Sequence, residues 1–252
     1  MNGLGEVVSE LLRELSSLPV HAVPGLTNYT FFLLIAFVLT LGFLLVAARK
    51  VSMIPKGIGN IAEAGVQFIR DNIVMDVMGP EGVKYVPFVG TLFFFILFNN
   101  LLGLIPGFKP GTGTMGVTVT LAVMVFIVYN AIGIRKHGAW GYLKSFYPKG
   151  VWAPIAVFVM FLEILSHFIR PLTLSVRLFA NMYAGHVILG IFSIFTVLLF
   201  KAGGFSMAIS ALPIALQIVM YAFELFVAFI QAYLFAILTS VYIGGALHAG
   251  EH

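Results

Sequence analysis

The chain has 252 residues, of which 60% are hydrophobic and only 10% are charged, and its mean hydropathy is +1.05. Soluble domains carry roughly 25% charged residues, so this composition excludes a soluble protein and predicts an integral membrane protein built from helices. The sequence has no cysteine, which excludes disulfides and thiolate metal sites, and its net charge of +4 is better interpreted through loop positions than as a nucleic-acid surface.

Residues 1–28 are predicted to form an outward-facing N-terminal segment. They contain three glutamates and one arginine, but no basic start followed by an apolar core, so they do not resemble a cleaved signal peptide. Leu4–Leu18 has the pattern of a short amphipathic helix, which Pro19 and Pro24 would end.

Three spanning helices are predicted over residues 29–150. Three uncharged runs of 20 residues, Tyr29–Ala48, Val86–Ile105 and Met115–Ile134, are each just long enough to cross a hydrocarbon core of about 30 Å. The stretch between the first two runs mixes charged and apolar residues and is too polar to span. Residues 55–82 therefore predict an amphipathic helix lying on the membrane surface.

The positions of Lys and Arg predict the orientation. Nine basic residues fall in two loops, and these are Arg49, Lys50, Lys56, Arg70 and Lys84 after the first span and Arg135, Lys136, Lys144 and Lys149 after the third. The opposite side has only Arg13, Lys109 and Lys201. Because basic loops face the cytoplasm, the N-terminus is predicted outside, and both basic loops and the C-terminal tail (248–252) are predicted to be cytoplasmic.

Residues 151–247 predict a long helical hairpin that turns at Lys201-Ala-Gly-Gly. Its arms, Thr173–Phe200 and Ser206–Leu247, would be about 42 Å and about 63 Å long as continuous helices. Both exceed the ~30 Å core, so the pair must tilt strongly or kink. The predicted fold is therefore all-α, with about five membrane-embedded helices, the last two forming a strongly tilted hairpin, plus the surface helix.

The first arm carries ionisable residues at a spacing of seven. Glu163, Arg170 and Arg177 are two helical turns apart and share one stripe of the helix. The spacing places further polar residues beside or along this stripe, and these are Ser166, His167, Thr173 and Asn181. His186 is nine residues beyond Arg177, about half a revolution away at ~100° per residue. This geometry predicts two separate polar half-paths.

The second arm of the hairpin contains polar residues that lie level with those of the first arm. If the hairpin folds at Gly203-Gly204, antiparallel pairing places His186 level with Glu224 and Arg177 level with Gln231. For each of these residues the pattern leaves two interpretations open. His186 and Glu224 form either a static buried pair or a proton relay, and Gln231 either makes an interhelical hydrogen bond or carries protons. Arg177 is either a snorkelling cation or a functional one.

Two runs of the sequence resemble motifs of a known family. The run Leu174-Ser-Val-Arg-Leu-Phe-Ala-Asn-Met-Tyr-Ala-Gly185 and the run Asn100-Leu-Leu-Gly-Leu-Ile-Pro-Gly107 resemble subunit a of the F-type ATP synthase, and the similarity covers most of the chain. The resemblance implies that Arg177 is the essential arginine, and that Asn181, Gln231 and Glu163 are accessory polar positions. His186 and Glu224 match a pair found in either order in that family. Ala180 departs from the family, in which glycine is frequent at this position.

The same resemblance implies a non-catalytic stator subunit that loads and unloads carboxylates of a rotating ring of c subunits through two offset half-channels. Implied partners are the c ring, b-type stalk subunits, the rest of the complex and the lipid bilayer of a bacterial plasma membrane, with no cofactor and no nucleic acid. No GxxxxGK[ST] loop occurs, so ATP chemistry is expected on other subunits. The alternatives are an ion channel or secondary transporter, or a non-conducting structural subunit; no inverted repeat favours a transporter.

Overall fold

The computed structural model describes residues 27–49, 57–105, 107–147 and 152–249. Every regular element in these ranges is a helix, and five helical stretches are long and apolar enough to cross a membrane. The predicted all-α membrane fold is therefore confirmed. The expectations for residues 1–26 and for the last three residues of the tail fall outside the described part of the chain.

The α-helices, in chain order, are α1 (Asn28–Arg49), α2 (Ile58–Ile69), α3 (Asp76–Met78), α4 (Val86–Gly103), α5 (Met115–Lys144), α6 (Ala153–Ala202), α7 (Phe205–Ile209) and α8 (Ala211–Leu247). A π-helical segment, Arg70–Met75, joins α2 to α3. Short 3-10 segments, Pro80–Tyr85 and Gly111–Gly113, precede α4 and α5.

The three predicted spans correspond to α1, α4 and α5, but α5 runs past its predicted end at Ile134. It continues through Arg135 and Lys136 because charged side chains do not interrupt a helix. The chain changes direction at Gly138 instead, where φ is 74° and ψ is 158°. Glycine adopts this positive φ without steric cost, so Gly138 redirects the last residues of α5.

The surface helix is amphipathic, as its sequence predicts. Ala62, Ile69 and Ile73 are buried on one face of α2 and the π-helical segment, whereas Glu63 and Asp71 are exposed on the other. The polar character that prevents this stretch from spanning is thus confined to its outer face. Its position on the cytoplasmic membrane surface stays a prediction.

The two arms of the hairpin are α6 and α8, of 50 and 37 residues. At 1.5 Å per residue they are about 75 Å and about 55 Å long, so both exceed a ~30 Å core and the predicted tilt or bend is still required. The first arm is longer than the sequence indicated and begins at Ala153. The chain reverses at Gly203 and Gly204, whose φ values of 69° and 56° favour glycine.

Pro171 lies inside α6 without ending it. A proline has no N–H to donate to the carbonyl four residues earlier, here that of His167. The phenol of Tyr129 on α5 donates to this carbonyl at 3.4 Å instead. A side chain from the neighbouring helix thus replaces the hydrogen bond that Pro171 removes.

Helix α8 is central and packs against α4, α5 and α6. A row of small buried residues at every fourth position lets these helices approach closely, and the row consists of Ala228, Ala232, Ala236, Ser240 and Gly244. Glu224 occupies the next position of the same row, one turn nearer the start of α8. The fold therefore places a carboxylate at the end of this row of small buried residues.

Candidate functional site

His186 and Glu224 meet between α6 and α8. The Nδ1 atom of His186 lies 3.5 Å from a carboxylate oxygen of Glu224, and the two side chains are 24% and 4% exposed. The hairpin register derived from the sequence thus brings this pair together. A buried carboxylate is costly unless it is paired, so the imidazole is the natural partner for the charge of Glu224.

The pair is not fully satisfied by the chain itself. His186 Nδ1–H donates to the carbonyl of Met182 at 2.9 Å, which leaves Nε2 as the atom available to take up a proton. Within the described residues, this Nε2 and both carboxylate oxygens of Glu224 are buried without a hydrogen bond. Buried polar atoms that lack partners mark a place where water or a proton is expected.

Gly185 allows Glu224 to lie against α6. A Cβ atom at position 185 would overlap the Glu224 carboxylate. The absence of a side chain at this position is therefore a steric requirement of the pair, and sequence reasoning did not single this glycine out.

A cavity of about 180 Å³ adjoins the pair on the predicted outer side. His186 and Met182 line it from α6, while Tyr29 and the loop residues Phe108 and Lys109 line its other walls. The ammonium group of Lys109 lies 5.5 Å from the centre of the Tyr29 ring. Glu224 is not part of the lining, so the order from the cavity inwards is cavity, His186, Glu224.

Polar side chains also fasten this cavity's loop to α8. Asn100 Nδ2 donates to the carbonyl of Ala228 at 3.3 Å, and its side-chain oxygen accepts from the Thr112 hydroxyl at 2.8 Å. Asn99 accepts from the backbone N–H of Gly111 at 2.9 Å. Asn100 thus joins α4 to α8, and both asparagines hold the 3-10 segment that precedes α5.

The stripe at the other end of α6 is open rather than enclosed. Glu163 and Arg170 form an ion pair at 3.7 Å, with side chains 48% and 34% exposed. The Arg170 guanidinium also lies 5.7 Å from the centre of the Tyr242 ring. Ser166 and Thr173 are exposed and Asn181 is half-buried, so these three residues flank an accessible face.

Arg177 is exposed at the centre of this face. Among the described residues it forms neither a hydrogen bond nor an ion pair. It is 24 residues from Ala153 and 25 from Ala202, about 36 Å from either end of α6. This distance runs along a helix that must tilt or bend in the membrane, so the snorkelling and the functional interpretations of Arg177 both stay predictions.

The expected contact between Arg177 and Gln231 is not formed. Gln231 is buried, whereas Arg177 is exposed, and no hydrogen bond joins them in the described part of the chain. The reason is rotational: Leu174 and Leu178 are the residues of α6 that face inwards, and Arg177 is about 100° from Leu178 around the helix. Equal height in the hairpin does not make two side chains face each other.

The sequence predicts His167 beside Ser166 along the stripe, but its side chain faces the interior. Its Nε2 atom bonds to Asn130 Oδ1 on α5 at 2.9 Å, and aromatic rings surround it, including those of Tyr142 and Phe146. Neighbouring positions on a helix differ by ~100°, which separates His167 from the exposed stripe. Asn130, a polar residue inside an uncharged span, was the sequence signal for this partner.

No three His, Asp or Glu side chains are grouped as metal ligands in the ranges that the structure describes. The arrangement instead comprises exchangeable groups on two sides of a fixed charge. His186 and Glu224 can each gain or lose a proton, whereas Arg177 stays protonated. Seen down α6, the inward-facing leucines separate His186 on one flank from Arg177 on the other.

Comparisons with known proteins agree with this architecture. The model of the family "ATP synthase A chain" matches residues 30–244. The chain is 45% identical to ATP synthase subunit a of Hyphomonas neptunium over 226 residues, covering 90% of the chain and 88% of the relative. It is 42% identical to the same subunit of Mesorhizobium japonicum over 222 residues (88% and 87%). For Maricaulis maris the identity is 41% over 233 residues (89% and 90%).

Proposed function

The chain belongs to the ATP synthase A chain family, and from this premise we propose that it is the stationary half of the proton path of a rotary ATP synthase. In this role it is a non-catalytic membrane subunit, and ATP chemistry takes place elsewhere in the complex. The observation that carries the proposal is Arg177, a guanidinium without a partner in the described chain, exposed about 36 Å from either end of an apolar helix.

The first half-path is proposed to run through the cavity beside His186. A proton that reaches the cavity meets His186 on its wall and then Glu224 behind it, at 3.5 Å. The unpartnered Nε2 of His186 would take up this proton, and Nδ1, the ring nitrogen 3.5 Å from Glu224, would release its own proton to the carboxylate. This support favours the relay over the static pair.

Arg177 is proposed to separate the two half-paths. A fixed positive charge favours the ionised form of a carboxylate that comes close to it, so a carboxylate on a passing c subunit would release its proton there. The same charge repels a free proton and so opposes direct leakage between the paths. Its exposure leaves it accessible to a partner in the membrane.

The second half-path is proposed along the exposed stripe, towards the cytoplasm. It is lined by Asn181, Thr173, Arg170, Ser166 and Glu163. His167 is left out of it because the residue is buried on another face and bonded to Asn130. The stripe has no opposite wall within the described chain, so the path would be completed by a ring of c subunits.

The ring, b-type stalk subunits and the remaining complex are therefore the proposed partners, in a bacterial plasma membrane with the N-terminus outside. The driving force would be about 2.3 kcal/mol per proton for every 100 mV. A channel or secondary transporter would need an enclosed route through one chain, which the open stripe does not favour. A purely structural subunit would not need an ionisable pair such as His186 and Glu224 beside a cavity.

The decisive experiment replaces Arg177 with Ala in the assembled complex reconstituted into vesicles. ATP-driven proton pumping is expected to be lost, and passive proton conductance is expected to rise because the barrier between the paths is gone. Arg70→Ala is the matched control, since it removes the same charge from an exposed site outside the proposed path that already has an ion-pair partner, Asp71. Substantial pumping by the Arg177 variant would contradict the proposal.

A further inference from the structure

The end of α5 beyond Gly138 presents an exposed aromatic and basic face. Trp140 is 82% exposed and Leu143 57%, and Lys144 and Tyr147 are also exposed. Trp140, Leu143 and Lys144 are at positions i, i+3 and i+4 and share one side of α5, and Tyr147 follows in the turn beyond the end of the helix. We refer to this group of four residues as the Trp140 face.

The opposite side of the segment is fixed to the protein core. The Phe146 ring centre is 5.2 Å from that of His167, and Tyr142 packs so closely on Gly133 that a Cβ there would overlap its ring. These contacts prevent the segment from rotating to bury Trp140. They also hold it beside Gly133, in the last turn of the uncharged run that ends at Ile134.

This location sets the depth of the Trp140 face. The 20 uncharged residues of Met115–Ile134 are just enough to cross the hydrocarbon core, so the residues that follow are level with the lipid headgroups. Both tryptophans of the chain are at this end, since Trp152, 73% exposed, directly precedes α6. Tryptophan and tyrosine are typical of this layer.

The charge of the segment indicates which lipid it meets. Residues 139–147 include Lys144 and no acidic residue, and exposed Arg135 precedes them. Lys and Arg close to a bilayer surface attract anionic lipids, each by a factor of about five. A partner with a negatively charged headgroup and an apolar body therefore complements both the lysine and the rings beside it.

We propose that the Trp140 face is a binding site for an anionic phospholipid. Lys144 contacts the phosphate of the headgroup, while Trp140, Leu143 and Tyr147 lie among the glycerol backbone and the upper acyl chain. This site is separate from the proton path, because it uses the side of the segment that points away from His167 and α6. It would anchor the bend at Gly138 to the membrane.

The test uses the intrinsic fluorescence of Trp140. The full-length chain carrying Trp152→Phe has Trp140 as its single tryptophan and is reconstituted into vesicles of phosphatidylcholine and phosphatidylglycerol. Brominated lipid, a contact quencher, is introduced either as the phosphatidylglycerol or as the phosphatidylcholine, at equal mole fraction. We expect stronger quenching by brominated phosphatidylglycerol, and more by bromines near the headgroup than by bromines near the chain end.

Adding Lys144→Gln should reduce the preference for the anionic lipid about fivefold, and Lys144→Arg should keep it. Lys201→Gln, which removes an exposed lysine at the other end of α6, is the matched control and should have no effect. Equal quenching by the two lipids, or a preference unchanged by Lys144→Gln, would overturn the proposal. So would an absence of quenching by both, which would mean that water or a protein covers the face.

Discussion

Ionisable residues are buried towards one end of the α6–α8 hairpin and exposed towards the other. On the side nearer the turn, Glu224 is buried at a tight helix contact and touches His186, and His186 lines a cavity walled by α1, α6 and the loop before α5. Towards the start of α6, Glu163 and Arg170 pair on an exposed face, and Arg177, midway along the helix, has no ion-pair partner in the described chain. One end is closed within the chain, and the other is open on one side.

The difference indicates which part of the proposed path the chain can build alone. A buried carboxylate must have its partner in the same fold, because desolvation without a partner costs several kcal/mol. An exposed stripe can be covered by another subunit after folding, because its charges remain solvated or paired until that subunit binds. We therefore expect substitutions at the closed end to act through this chain, and those at the open end to act through its contact with another subunit.

The largest effect in this comparison is expected at Glu224, after that of Arg177. Glu224→Gln keeps the shape of the side chain but cannot ionise, so ATP-driven pumping by the reconstituted complex should fall about 100-fold or more, as for loss of a general acid or base. Glu63→Gln on the exposed face of α2 is the control and should pump normally. Normal pumping by the Glu224 variant would mean that the closed end is only structural.

Gly185→Ala tests the closed end by steric means. Its Cβ would overlap the Glu224 carboxylate, so the free energy of unfolding should fall by about 1–3 kcal/mol, as for other overpacked sites, and pumping should fall with it. Gly245→Ala on α8 meets open space and should be neutral or slightly stabilising in the same denaturation experiment. Equal behaviour of the two variants would show that the carboxylate does not need this contact.

Asn130→Ala separates packing from the proton path. It leaves the buried His167 Nε2 without its partner, so the free energy of unfolding should decrease by about 1–3 kcal/mol. Because His167 faces away from the stripe, the passive proton leak should not rise, unlike that of the Arg177 variant. Asn72→Ala, at an exposed position of the π-helical segment, is the control for stability. A raised proton leak would contradict this assignment and indicate that His167 is part of the second half-path.

The smallest effect is expected at the open end. Glu163→Gln removes an exposed ion pair, which contributes at most about 1 kcal/mol, so thermal stability should hardly change. The fold-decrease in the pumping rate should be at least ten times smaller than that of Glu224→Gln, because water and the other polar residues of the stripe can still carry protons. A loss as severe as that of Glu224→Gln would show that the open end depends on one residue.

Much of this site could be predicted because it depends on spacing along helices. Seven-residue repeats share a stripe, and a glycine turn fixes which residues of two arms are level, so the meeting of His186 with Glu224 followed from counting. The same counting failed for Arg177 with Gln231 and for His167. Height in a hairpin follows from residue number, but the rotation of a helix depends on which of its faces packs best.

The sequence by itself determined that the chain spans a membrane, where its helices turn, and which ionisable residues lie along them, because hydrophobic length and helical period are local properties. Tertiary structure alone decided that Gly185 makes room for Glu224, that Tyr129 replaces the hydrogen bond lost at Pro171, and that His167 points at Asn130. It also left Arg177 exposed and unpaired in the described chain. These outcomes depend on contacts between distant helices, which no local pattern encodes.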